Sequence, residues 1–373
     1  MTRALALALA PLACVAVVVL GPTKRFERSA LGRAHRALGD AAPRVATALV
    51  TIAVCDRKRG AAVASACFDA LDRPNPLGQI VYLTLAIGGH ASFVEGVEKR
   101  LLDGGDARGW TAATSAAFAF ACATWALVCC SEPGTITREN NEEYLKAYAY
   151  DEIVYHRKRC RTTGKDAPAR SKWCTTTERR VARFDHFCVW VNNTIGANNL
   201  RWFLLFLFAQ LVLVGYVTLA CAHAVRRSMT RRDCWSLMFQ HETPSGARAT
   251  LGNDKALLRR FVVYHYAPAV TLGVFCALVF VLLSVFLGYN AWLAAKNVTT
   301  NETFKWELVR ESVETMKGER AGGSGDEQID WGEMTRNKYD VGIWGNIKEV
   351  LFPPVKTPSA FALPWDALKA KRP

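Results

Sequence analysis

A carboxylate, an imidazole and a thiol fall within four consecutive positions at Asp185-His186-Phe187-Cys188. A thiol is a weak nucleophile until it loses its proton, and a neighbouring imidazole can take that proton. A carboxylate on the far ring nitrogen fixes the tautomer and supports the imidazolium that forms. The string therefore reads as a nucleophile, Cys188, a general base, His186, and an orienting group, Asp185. Asp185 could instead pair with Arg183, and so short a string can also arise by chance or form half of a metal site. Its surroundings give it weight. It lies in a polar stretch, residues 131–200, that begins and ends at long apolar runs. A thiol held there sits near the lipid surface and suits an amphipathic thioester donor.

The apolar runs are the elements that must position this chemistry. Crossing the hydrocarbon takes ~20 residues at ~1.5 Å each. Five runs approach that length: roughly Ala4–Leu20, Leu77–Phe93, Trp110–Cys130, Trp202–Ala222 and Tyr266–Asn290. Leu77–Phe93 is the weakest, because it includes Gly88, Gly89 and His90; Pro43–Cys55 is too short to span. Ala4–Leu20 could be a cleaved signal peptide, but its ~17 apolar residues exceed the usual ~7–15 of a signal core and favour a retained anchor. The pattern predicts an all-α polytopic membrane protein, a four-span core plus an extra N-terminal span, with a largely irregular cytosolic catalytic loop. In chain order this gives an anchor (1–21), a cytosolic loop (22–75), a two-span hairpin (76–130) and the catalytic loop (131–200). Two spans with a lumenal loop at 223–264 follow (201–290), then a cytosolic tail (291–373).

The formal net charge is +14, which suits either nucleic acid or an anionic membrane surface. With 51% apolar residues gathered in long runs, the membrane is the expected partner and nucleic acid is not. Lys24, Arg25, Arg28, Arg33 and Arg36 place the loop after the first run in the cytosol, whereas Arg226, Arg227, Arg231, Arg232, Arg259 and Arg260 argue against a lumenal 223–265. The chemistry of the 131–200 loop decides for a cytosolic site. An unrelated transporter would show intramembrane ionisable residues, and only His90 and the border His223 qualify. Of twelve cysteines, Cys160, Cys174 and Cys188 share the polar loop at a spacing of 14, which is no disulfide framework. Sequons at Asn192, Asn297 and Asn301 all fall on the side read as cytosolic and are incidental there; a glycan at Asn297 or Asn301 would overturn the topology.

The segment around the string resembles the cysteine-rich domain of the DHHC family of protein S-acyltransferases. Upstream, Pro168-Ala169-Arg170-Ser171-Lys172-Trp173-Cys174 is similar to the family's proline–arginine approach. Downstream, Trp190-Val191-Asn192-Asn193-Thr194-Ile195-Gly196-Ala197-Asn198-Asn199 resembles its W-V-N-N-C-[VI]-G-x-x-N run. Ser131-Glu132-Pro133-Gly134 resembles its D-P-G element, Thr299-Thr300-Asn301-Glu302 its T-T-x-E, and residues 337–346 its C-terminal element with a key Asn. The likeness covers roughly residues 75 to 355, and its wording is most similar to the branch usually found in the endoplasmic reticulum.

The resemblance implies a protein S-palmitoyltransferase. It would take a long-chain acyl group from palmitoyl-CoA or a similar acyl-CoA onto Cys188 and pass it to cysteines of membrane proteins. It implies Asn193, Asn198, Thr300 and Asn346 as structural residues, and an integral membrane location, endoplasmic reticulum first and Golgi second. Arg170, Lys172 and Arg183 either meet the CoA phosphates or face anionic lipid. Trp190 lines the site or anchors the loop at the interface. The family normally holds two zinc ions through eight ligands, of which Cys160 and Cys174 remain. Thr163, Trp173, Thr177, Arg180, Phe187 and Thr194 fill the other positions, so zinc is not expected, and neither is a permanently bound cofactor. The alternative is a catalytically inactive membrane scaffold.

Overall fold

The computed structural model describes residues 74–355, apart from 103, 161–163, 243–247 and 321–329, with a few isolated positions before them. The expected anchor at Ala4–Leu20 and the stretch Pro43–Cys55 lie outside the described residues. The chain divides into two units, Met1–Asn75 and Pro76–Pro373, and the second carries the features below.

Four described helices are long and apolar enough to cross a membrane: Leu77–Leu101, Arg108–Cys130, Leu200–Arg231 and Ala267–Ala295. They match the four core runs. The weakest run, α1 (Leu77–Phe93), is longer than hydropathy suggested, because it continues through a π-helical turn, Val94–Glu98, into α2 (Lys99–Leu101). His90 does not break it; its ring stacks on Phe118 of α3 (Gly104–Cys130), with centroids 4.3 Å apart. Helix α5 (Leu200–Arg231) has 32 residues, or about 48 Å at 1.5 Å each, more than the ~30 Å hydrocarbon core. Its excess lies at the C-terminal end, where Arg226, Arg227 and Arg231 follow the apolar run. Helix α7 (Ala267–Ala295) carries Pro268 in its first turn, where a missing N–H has no helical partner to lose.

Residues 131–200, expected to be largely irregular, contain a short helix, α4 (Asn141–Ala147), and two small hairpins. Strands β1 (Lys172–Cys174) and β2 (Arg179–Val181) pair antiparallel, as do β3 (His186–Cys188) and β4 (Asn193–Ile195). The segment between α5 and α7 is also ordered in part. It holds the hairpin of β5 (Met238–Glu242) and β6 (Arg248–Thr250), then α6 (Lys255–His265), whose first amides are capped by Asp254. After α7 come α8 (Thr300–Arg320), α9 (Trp331–Met334) and α10 (Ile343–Leu351).

Two asparagines tie the polar domain and the tail to helix ends, whose last carbonyls have no intrahelical partner. Asn193 Nδ2 donates to the carbonyls of Val128 and Ser131 at the end of α3, at 3.0 and 2.8 Å. Asn346 Nδ2 donates to the Ala295 carbonyl that ends α7, at 2.8 Å, and its side chain is fully buried. Gly196 permits close packing of the β4 end, since a Cβ there would lie 2.6 Å from the Pro133 carbonyl oxygen and 2.5 Å from Val181.

Candidate active site

Strand periodicity sorts the four-residue string. Side chains two apart in a strand share a face and the one between points away. His186 and Cys188 of β3 therefore face one way and Phe187 the other. Cys188 joins the apolar cluster where the spans end: Val128 and Cys129 of α3, Leu200 and Phe203 of α5, and Ala294 of α7, with Tyr82 of α1 packed alongside. The His186 ring meets Phe203 edge-on at 5.1 Å. Phe187 packs instead against Cys174, Val181 and Phe184. Helix α1 covers the other flank, and a Cβ at Gly78 would lie 2.2 Å from the carbonyl oxygen of Val189, next to Cys188.

The three groups form a relay. His186 Nδ1 donates to Asp185 Oδ2 at 2.7 Å. Cys188 lies on the same strand face as this ring and is close enough to raise its pKa. The Thr300 amide donates to Asp185 Oδ1 at 2.7 Å, so the T-T-x-E element sets the orienting carboxylate. Arg183 makes its contacts with Asn297 and Glu349, so Asp185 belongs to the relay and not to an ion pair with Arg183. Burial by itself would lower the His186 pKa, but the hydrogen bond to Asp185 and the neighbouring Cys188 outweigh it and raise it to about 9. Burial would raise the Asp185 pKa, yet the His186 hydrogen bond and the Thr300 amide hold it below the usual carboxylate range.

A group whose pKa is raised on folding adds stability that is complete below its unfolded value, about 6.5 for His, and is lost as pH rises through the folded value. With His186 near 9, wild type loses thermal stability relative to His186→Gln between pH 6.5 and 9. Thermal unfolding in detergent at stepped pH measures this. A gap between the two proteins that stays constant across that range would contradict the ion pair.

A second, fully buried network lies behind the relay. Arg170 donates through Nε and Nη2 to the two carboxylate oxygens of Glu302, both at 2.7 Å, and through Nη1 to Asn297 Oδ1 at 2.8 Å. Its guanidinium also sits 4.7 Å from the Tyr339 ring centroid. Arg183 Nη2 donates to Asn297 Oδ1 at 2.8 Å. Arg170 and Arg183 were candidates for the CoA phosphates, and the structure corrects this. Both are 1% exposed; the Arg170 donors serve Glu302 and Asn297, and Arg183 faces Asn297 and Glu349. Lys172 remains open: it is exposed, donates to Asn301 Oδ1 at 3.0 Å, and lines a groove with Arg157, Lys158, Arg159, Arg180 and Lys305. Trp190 is half exposed in the β3–β4 turn, and its carbonyl accepts from Trp125 Nε1 at 3.0 Å. Asn198 is buried, and its amide donates to the Pro133 carbonyl at 3.2 Å. Sequence reading missed Asn297 and Glu349; Asn297 had registered only as a sequon, and its side chain is fully buried.

The donors at the former zinc positions do not fit a zinc ion, which takes four thiolate, imidazole or carboxylate ligands. Beside Cys160 stands a guanidinium, with Arg180 Nε donating to the sulfur at 3.1 Å. Beside Cys174 stand the hydroxyls of Thr177 and Thr194 and the ring of Phe187. Among the described residues no three His, Cys, Asp or Glu side chains gather as a metal cage.

Four membrane-length helices closing on a cluster of thiol, imidazole and carboxylate define a multi-pass membrane protein with a buried cysteine beside a histidine–aspartate pair. Residues 153–307 match the family model described as DHHC palmitoyltransferase. Among curated relatives, palmitoyltransferase ZDHHC4 of Rattus norvegicus is 32% identical over 62% of this chain and 64% of its own length. Palmitoyltransferase swf1 of Schizosaccharomyces pombe is 26% identical over 60% of this chain and 61% of its own. Palmitoyltransferase SWF1 of Saccharomyces cerevisiae is 26% identical over 47% and 43%. The chain thus spans less than two thirds of the length of these relatives.

Proposed function

We propose that this protein is a protein S-palmitoyltransferase that carries a long-chain acyl group on Cys188. The supporting observation is the place of the relay: Cys188 stands beside an Asp-oriented His186 on one strand face and is packed among the ends of four membrane-length helices. A thiol there meets the thioester of an acyl-CoA whose chain lies among the spans and whose nucleotide stays in water. His186, held as imidazolium by a pKa of about 9, carries the thiol's proton while the sulfur attacks the thioester carbonyl. The thioester carbon–sulfur bond breaks, and CoA leaves as the thiol with a proton returned by the imidazolium. A thiol of a membrane protein then attacks the acyl-enzyme, and Cys188 is freed.

Lys172 and the cations of its groove supply contacts for the CoA phosphates in this reading, and Trp190 borders the approach to the thiol. The relay face is turned to the cytosol, and the expected membrane is that of the endoplasmic reticulum, ahead of the Golgi. An inactive scaffold would have no use for the Asp185–His186–Cys188 geometry, which packing alone does not require.

The test is direct. Purified protein mixed with alkynyl palmitoyl-CoA is expected to form a hydroxylamine-sensitive adduct that peptide mapping places on Cys188. A folded protein that forms no such adduct overturns the reading and favours the scaffold.

A further inference from the structure

The geometry points to a metal cradle that the chain has closed with side chains at one position and left convertible at another. The convertible one has four corners: Cys174 at the end of β1, Thr177 in the turn after it, Phe187 of β3 and Thr194 of β4. Thr177 Oγ1 lies 3.2 Å from Thr194 Oγ1, and Thr194 Oγ1 donates to Cys174 Sγ at 3.5 Å. In a tetrahedral zinc site with Zn–S of about 2.3 Å, neighbouring sulfurs stand ~3.8 Å apart. The three polar corners are thus already gathered at nearly ligand-cage separations.

The fourth corner follows from register. Phe187 stands directly opposite Thr194 in the β3–β4 pair, so the two side chains share a face. That is the face turned from Cys188, where Phe187 packs against Cys174. The corners come from both hairpins, so whatever fills the cradle joins β1–β2 to β3–β4. Here two hydroxyls, one thiol and one ring fill it.

The other position is closed differently. Arg180, directly opposite Trp173 in β1–β2, donates through Nε to Cys160 Sγ and through Nη1 to Ser171 Oγ at 3.0 Å. A guanidinium in contact with the remaining thiol repels a second cation. Cys160 therefore belongs to a hydrogen-bonded plug, and Cys174 to an open set of corners with three ligands missing.

The experiment compares purified full-length wild type with the triple variant Thr177→Cys/Phe187→His/Thr194→Cys. Metal analysis by plasma mass spectrometry is expected to give no stoichiometric zinc for wild type and about one zinc per chain for the variant. The Tm of wild type should not respond to a chelator, and that of the variant should fall on chelation. Cobalt(II) loading of the variant should show the visible bands of tetrahedral thiolate coordination. If the triple variant does not fold, Thr177→Cys/Thr194→Cys, which leaves Phe187 in place, is expected to bind cobalt through three thiolates. Stoichiometric zinc in wild type, or a folded variant that takes up neither metal, overturns the proposal. Neither outcome bears on acyl transfer, whose readout is the adduct on Cys188.

Discussion

Cys188→Ala is expected to abolish hydroxylamine-sensitive acyl labelling, and His186→Ala to slow acyl-enzyme formation by roughly 10²–10⁴-fold, the usual contribution of a positioned acid–base group. The alanine at 188 removes one sulfur from a buried position and leaves the β3–β4 pairing intact. Loss of label would therefore report chemistry and not folding. Other thiols are close enough to serve as internal controls. Cys129 lies in the same apolar cluster, where its sulfur accepts a hydrogen bond from Gln79 Nε2 at 3.4 Å, but it has no imidazole partner. Cys174 is buried on the opposite side of the hairpin. His186→Ala should leave the site of labelling unchanged and lower only its rate, which stopped-flow mixing with acyl-CoA would resolve. Equal labelling of wild type and Cys188→Ala would place the acyl group on another cysteine. An unchanged rate in His186→Ala would leave the imidazole no role in proton transfer.

The spans and the relay were legible from sequence for different reasons. Hydrophobic runs of membrane length need no tertiary context, because the bilayer sets their length. The grouping of Asp185, His186 and Cys188 was legible because the three are local and Cys188 is two residues from His186, one strand repeat. The hairpins were not legible, since strands of three residues are too short to leave an alternating pattern. The continuation of α1 through a π-helical turn was also missed, because Glu95, Glu98, Lys99 and Arg100 end the apolar run before the helix ends. The largest misreading concerned Arg170 and Arg183. A basic residue in a polar loop reads as exposed unless its partner is known, and here the partners lie more than 110 residues downstream, at Asn297, Glu302 and Glu349. Glu302 could be seen as the last letter of T-T-x-E, but nothing local says that it points into a buried pocket. The same distance hid the role of Asn297, which had only its sequon to recommend it.

Glu302→Gln is expected to destabilise the polar domain by about 3–5 kcal/mol, the usual cost of removing one partner from a buried ion pair. Glu302 accepts four hydrogen bonds: two from Arg170, one from the Tyr155 hydroxyl at 3.0 Å and one from the Thr299 amide at 2.9 Å. Its side chain is 3% exposed and that of Arg170 is 0%. Burial disfavours the charged carboxylate, but Arg170 overcomes this and holds its pKa below the usual range. Without that charge, Arg170 and Arg183 would share one carboxylate, Glu349, at 3.6 and 3.7 Å. A total stability of about 5–15 kcal/mol would not absorb this loss unnoticed. The depressed pKa also fixes the pH dependence. The contribution is present above the unfolded carboxylate pKa of about 4.3 and is lost as pH falls through the folded value, so wild type and variant should converge in acid. Activity should fall for a second reason. Glu302 grips Thr299, whose hydroxyl donates to the Phe184 carbonyl at 3.0 Å, and the next amide, Thr300, holds Asp185. The double variant Arg170→Met/Glu302→Leu separates the two effects. Apolar replacement of a buried pair is often nearly neutral, so the double variant should regain most of the lost Tm. Without the carboxylate that fixes Thr299, it should still acylate more slowly than wild type. A Glu302→Gln protein that unfolds within about 1 kcal/mol of wild type would reduce the pair to the value of a surface contact.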